Sequence, residues 1–222
     1  MKIAILNDTH SGIRNSSEVF LDNAETFYSD IFFPECEKRN IKQILHLGDY
    51  YDHRKFINFK NTNELNSLKE CLGHYMNEVH IIMEPAVMKY GSLDMGLIPW
   101  ICHDNYIQCM NFIRDCKADW IDALLELNGF EMMRGLTNTH GMDPGLFKRF
   151  EMVLTGHYHV GSKKDNIWYL GSQMEFYWSD AHDPKYFHVL DTETRQIERI
   201  HNPNTLFEKV LYNDEEIDYN SY

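Results

Sequence analysis

The chain has 222 residues, 43% of them hydrophobic and 25% charged, an ordinary globular composition with the length for one well-buried domain, which excludes a disordered or fibrous chain. Its 34 acidic and 21 basic residues leave a net charge of -13, a field that repels nucleic acid except where basic patches or bound cations reverse it, so a simple DNA-coating protein is excluded. No apolar run approaches the roughly 20 residues of a membrane span, and the apolar start Ile3-Ala4-Ile5-Leu6 is too short for a signal peptide, so a cytoplasmic protein without membrane contact is expected.

Lys2 to Leu6 reads as a buried strand, with Asp8 and His10 just past its end. From Ser16 to Arg39, Phe20, Ala24, Phe27, Ile31 and Phe32 recur at helical spacing, with Ser16 or Ser17 as N-cap and Pro34 as a kink or stop. Ile41 to Leu47 is the second strand of a βαβ unit, terminated by Gly48-Asp49. A helix is predicted over Asn61 to Tyr75 and a third strand over Val79 to Ile82. Ala86 to Tyr90 and Met95 to Trp100 flank a Gly91-Ser92-Leu93-Asp94 turn as a hairpin. Asp104 to Cys116 looks helical, and Trp120 to Leu127 fits either strand or helix. A short helix near Pro144 to Phe150 precedes the strand Glu151 to Leu154, and hairpin-like runs follow at Asn166 to Leu170, Tyr186 to Leu190 and Gln196 to Ile200. The five cysteines, Cys36, Cys71, Cys102, Cys109 and Cys116, are odd in number and contain no Cys-x-x-Cys pair, so neither a disulfide framework nor a zinc ribbon is expected.

Three clusters place metal-binding groups at the ends of predicted strands: Asp8-Thr9-His10, Gly48-Asp49-Tyr50-Tyr51-Asp52-His53 and Gly156-His157-Tyr158-His159. Residues two apart in extended backbone share a side, so Asp-x-His and His-x-His can each chelate. Glycine lets the backbone come close to a cation. Mixed carboxylate and imidazole donors suit manganese, iron or zinc better than calcium or magnesium. Each cluster alone is common by chance, whereas all three in this order point to one metal cleft.

On these motifs the chain resembles the calcineurin-like metallophosphoesterases. Gly48 to Lys55, Leu97-Ile98-Pro99-Trp100, Glu126 to Phe130 and Asp191 to Thr194 resemble their SbcD-type DNA repair nuclease branch in its T-even-like phage form. The resemblance spans nearly the whole chain. It implies an α/β fold, a layered α/β/β/α sandwich of two mixed sheets flanked by helices. It further implies a domain over residues 1–212, an acidic tail over 213–222, and no room for capping or ATPase-binding regions. Carried over residue by residue, Asp8, His10, Asp49 and His159 would hold one metal, His157 would belong to a second, and Asp49 would bridge them. Asp49 and His157 are then the catalytic candidates, and two Mn2+ ions are the implied cofactors, with Mg2+, Fe or Zn as substitutes. A water-derived nucleophile would attack phosphorus in line, with no covalent intermediate on the protein.

Two parts of the family pattern have no counterpart. The Gly-Asn-His segment expected after the third strand is replaced by Ile82-Met83-Glu84-Pro85, and the position of a further histidine before Glu126-Leu127-Asn128-Gly129-Phe130 is held by Leu124. His103 and His140 are candidates to substitute, although both are more simply loop or cap residues. His53, Arg54, Lys55 and Lys60, interleaved with Tyr50, Tyr51, Phe56 and Phe59, form a candidate DNA-binding patch, with Lys163-Lys164 on the other side. The implied function is a metal-dependent DNA exo/endonuclease subunit working in repair and recombination with an SMC-like ATPase, and a homodimer is a further expectation. If phage-encoded, it would act in the host cytoplasm. The alternatives are a catalytically impaired scaffold for the ATPase and a phosphodiesterase with another substrate.

Overall fold

The computed structural model describes residues 1–50, 52, 82 and 84–210. The predicted helix over 61–75, nearly all of the third strand, the patch at His53, Arg54, Lys55 and Lys60, and the acidic tail lie outside the described residues.

In β1 (Lys2–Leu6), Ile3 and Ile5 face one way and Ala4 and Leu6 the other, and all four are buried. A strand buried on both faces needs a layer on each side. β1 pairs in parallel with β2 (Ile44–His46) and antiparallel with β11 (Lys185–Asp191), which pairs antiparallel with β12 (Gln196–Asn202), giving a mixed sheet in the order β12-β11-β1-β2. The second sheet runs β3 (Ala86–Tyr90), β4 (Leu93–Ile98), β5 (Trp120–Leu124), β8 (Met152–Gly156), β10 (Ile167–Tyr169) and β9 (Ser162–Lys164). Its four central strands are parallel, and the two edge strands are antiparallel to their neighbours. A small hairpin, β6 (Glu131–Met133) and β7 (Leu136–Thr137), stands apart from both sheets.

Alternation along these strands sorts the core into three layers. Ile3, Ile5, Leu93, Met95, Trp120, Leu154 and Leu190 meet between the sheets. Ala4, Leu6, Phe187 and Val189 face the helices after β1, while Ile121, Ala123 and Val153 face the helix α3 (Tyr106–Asp115) on the far side. This is the expected α/β/β/α sandwich with two mixed sheets.

The helix expected over Ser16–Arg39 is divided into α1 (Glu18–Thr26), a π-helical turn (Phe27–Phe32) and α2 (Phe33–Lys38). Pro34, lacking an N–H, sits at the start of α2, directly after the wider turn. The wider turn directs both Phe27 and Phe32 onto Phe187, with ring centroids 6.1 and 5.0 Å away. β2 is shorter than expected, Trp120–Leu124 forms a strand, and Pro144–Phe147 is a single 3-10 turn. Cys36, Cys102, Cys109 and Cys116 are free, and all but Cys102 are buried. No helix among the described residues is long and apolar enough to cross a membrane.

Candidate metal centre

Beyond β1 and β2 the two segments stay paired. Asp8 N donates to Gly48 O at 3.0 Å, His10 N to Asp49 O at 3.0 Å and Ser11 N to Tyr50 O at 2.7 Å, which brings the first two motifs together side by side. A side-chain relay reinforces them. His46 Nδ1 accepts from Gly48 N at 3.2 Å, so its Nε2 carries the proton and donates to Thr9 Oγ1 at 3.0 Å, which in turn donates to Tyr50 O. The third motif arrives from the other sheet at the end of β8, where His157 N donates to both oxygens of Asp8 at 3.0 and 2.9 Å. Asp8, His10, Asp49 and His157 all have φ between +44 and +81°, a region uncommon for residues with side chains and favoured at functional sites.

Asp8 is fully buried. Burial pushes its carboxyl pKa upward, against the lowering pull of His159 and the Asn7 amide, which donates at 2.6 Å. His10 Nε2 lies 3.1 Å from His159 Nε2, and Asp8, His10 and His159 each offer an atom within 4.8 Å of the others.

This donor set fits a cation. His159 Nδ1 faces Asp180 Oδ2 at 3.4 Å, which favours the proton on Nδ1 and leaves Nε2 as a lone pair. His10 Nδ1 has no hydrogen bond and faces Asp52 Oδ1 at 3.4 Å. If His10 also carries its proton on Nδ1, two lone pairs oppose each other across 3.1 Å. If the proton is on Nε2, a lone pair confronts the Asp52 carboxylate instead. A second proton on His10 would relieve both arrangements, but burial, and then His159, push its pKa down. A divalent ion beside the buried carboxylate resolves the conflict for both imidazoles at once.

Asp49 and His157 stand next to this set, with His157 Nδ1 3.3 Å from Asp49 Oδ2. Burial lowers the pKa of His157, but Asp49 outweighs it and holds the imidazole above its ordinary value. Leu124 packs between the glycines of the second and third motifs. A Cβ at Gly48, whose φ is +121°, would lie 2.9 Å from Leu124 Cδ2, and one at Gly156 would lie 3.0 Å from Asp8 Oδ2 and 3.2 Å from Leu124 Cδ1. Both glycines therefore make room for protein atoms rather than for an ion.

His103 is exposed and faces Asp104. His140 lines a hollow beside the centre with Trp100, Leu124 and Glu126, and Glu126 Oε1 lies 3.8 Å from His157 Nε2. Lys163 lies over the Trp168 ring at 4.9 Å. The motifs did not reveal His46, Tyr177 or Asp180. His46 directly precedes the Leu47-Gly48 turn, a usable clue, whereas Tyr177, stacked on His159 with centroids 5.4 Å apart, follows no spacing rule.

Asp-x-His, Gly-Asp and Gly-His-x-His thus gather at adjoining strand ends of two mixed sheets, the motif set on which the chain resembles the calcineurin-like metallophosphoesterases. Over 96% of its length the chain is 26% identical to Exonuclease subunit 1 of Enterobacteria phage T4, matching 71% of that protein. No family model matches. Similar solved structures include an archaeal phosphodiesterase, at 19% identity and TM-score 0.40, covering 91% of this chain and 100% of the other. Another is a Staphylococcus aureus protein assigned as a 5'-nucleotidase and solved with alpha-ketoglutarate, at 13% identity and TM-score 0.45, covering 96% of this chain and 56% of the other.

Proposed function

We propose that the chain is a manganese-dependent DNA nuclease subunit that hydrolyses phosphodiester bonds during repair and recombination, working with an SMC-like ATPase in the host cytoplasm. The observation that carries this reading is the buried Asp8 carboxylate beside two imidazole Nε2 atoms 3.1 Å apart, an arrangement that a divalent cation satisfies. Similarity to an exonuclease subunit along nearly the whole chain supports DNA as substrate and a protein complex as the setting.

Asp8, His10 and His159 would hold a first cation, and Asp49 and His157 would serve a second. Bound divalent ions would activate water and neutralise charge on the phosphoryl oxygens. The protein's own part is to fix the donors: Asp8 is clamped by the His157 N–H and the Asn7 amide, and the His157 imidazole is oriented by Asp49. Purified protein with Mn2+ is expected to degrade linear duplex or single-stranded DNA, and Asp49→Asn to lower the rate by more than about 100-fold. Equal rates for both proteins overturn the reading.

One observation favours a second reading, a catalytically impaired scaffold for the ATPase. With Leu124 wedged between Gly48 and Gly156, the second position retains, among the described residues, Asp49 and His157 from the motifs. Metal stoichiometry separates the two, because two Mn2+ per chain support the nuclease and one supports the scaffold.

A further inference from the structure

Asp180 is 1% exposed and lies in the 3-10 turn Trp178–Asp180, 21 residues beyond His159 and outside every motif. A carboxylate so buried needs full compensation. Its Oδ2 accepts from Phe176 N at 2.8 Å and Tyr177 N at 3.0 Å, and the same oxygen faces His159 Nδ1 at 3.4 Å. Its Oδ1 faces the ammonium of Lys185 at 3.3 Å, and Lys185, only 2% exposed, also reaches His159 O at 3.1 Å and Asp183 Oδ2 at 3.3 Å. Asp183 is held from outside by Arg134. A chain of alternating charges, Arg134, Asp183, Lys185 and Asp180, therefore ends on one imidazole.

We propose that Asp180 is a positioning residue for the first cation position: it holds the His159 proton on Nδ1 and so presents Nε2 as a lone pair toward Asp8 and His10. Three features favour this over simple core satisfaction. All the other partners of Asp180 are donors that cannot leave: two backbone N–H groups and a buried ammonium. Its carboxylate is therefore ionised and can only accept, which selects one tautomer of His159. The ring it faces is also fixed from the side by Tyr177, whose plane lies 18° from that of His159. Finally, an imidazole whose distal nitrogen meets a carboxylate is the arrangement that raises its basicity toward a metal.

The inference rests on reading Asp8, His10 and His159 as a cation site. Two measurements on the full chain test it separately from that reading. The first is Co2+ titration by calorimetry and visible absorption. The unmutated protein is expected to bind Co2+, and Asp180→Asn to bind it about 10- to 100-fold more weakly with an altered absorption band. A folded Asp180→Asn variant with unchanged affinity and spectrum overturns the inference, whereas no Co2+ binding by the unmutated protein overturns the cation site itself. The second needs neither variant nor metal. Long-range 1H–15N correlation on the metal-free protein is expected to show His159 protonated on Nδ1 with an unprotonated Nε2. The opposite tautomer overturns the inference even if Asp180→Asn fails to fold.

Discussion

His188 shows how much a single side chain can cost this fold. It is fully buried between the sheets, neither ring nitrogen is hydrogen-bonded, and its ring meets Trp168 edge-on with centroids 5.6 Å apart. Burial, and then Arg199 across the strand pair, lower its pKa to about 3. Above the ordinary value of 6.5 both folded and unfolded chains carry a neutral ring, and His188 adds no pH dependence. Below it the unfolded chain takes up a proton that the folded one refuses, so stability falls by up to about 1.4 kcal/mol per pH unit down to about pH 3. His188→Leu keeps an apolar group in the layer and removes this loss. Urea midpoints are expected to favour the variant clearly at pH 5 and much less at pH 7.5. A difference of the same size at both values contradicts the assignment.

At the scale of elements, the π-helical turn decides which rings reach the core. Phe27 and Phe32 are five residues apart, and the wider turn brings both edge-on to Phe187, where each is fully buried. Phe32→Ala should cost about 3–5 kcal/mol in denaturant unfolding. A loss below about 1 kcal/mol would show that the turn does not anchor its layer. This element also marks what was legible beforehand. Periodicity and turn residues located β1, the β3–β4 hairpin and α3, because those depend on neighbours in sequence. The motif residues at the ends of β1, β2 and β8 were legible for the same reason. The π turn was not, since the ring that Phe27 and Phe32 meet is Phe187, some 150 residues away. The contact of Asp180 with His159 was equally hidden, because a turn and a strand end meet through tertiary packing without a repeat. Leu124 packs beside the centre, and its fit between two glycines is a matter of volume that no spacing encodes.

At the scale of the whole molecule, the net charge of -13 and the proposed substrate pull in opposite directions. Much of the described surface cation is already committed: Arg39 pairs with Glu35 and Glu198, Arg114 with Asp115, and Arg195 with Asp119 and Glu151. Among the described residues, what would attract a phosphate near the centre is the cations that Asp8, His10 and His159 would hold, together with Arg14, which lies 5.7 Å from the Tyr177 ring beside His159; the patch at His53, Arg54, Lys55 and Lys60 lies outside the described residues. Those groups by themselves would neutralise few phosphates. Since each neutralised phosphate contributes about -0.9 to the slope of log K against log salt, the chain alone should bind duplex DNA weakly with a slope near about -2 to -3. Fluorescence anisotropy with a phosphorothioate-substituted duplex in Mn2+ measures this, and EDTA should abolish binding at physiological salt because the centre then adds only carboxylate charge. A slope steeper than about -5, or binding that persists in EDTA, would require a basic surface apart from the metal centre. Placing affinity at the cations alone makes the rest of the acidic surface a barrier to internal contacts along a duplex. Productive engagement would then depend on a partner that delivers the strand to the cleft.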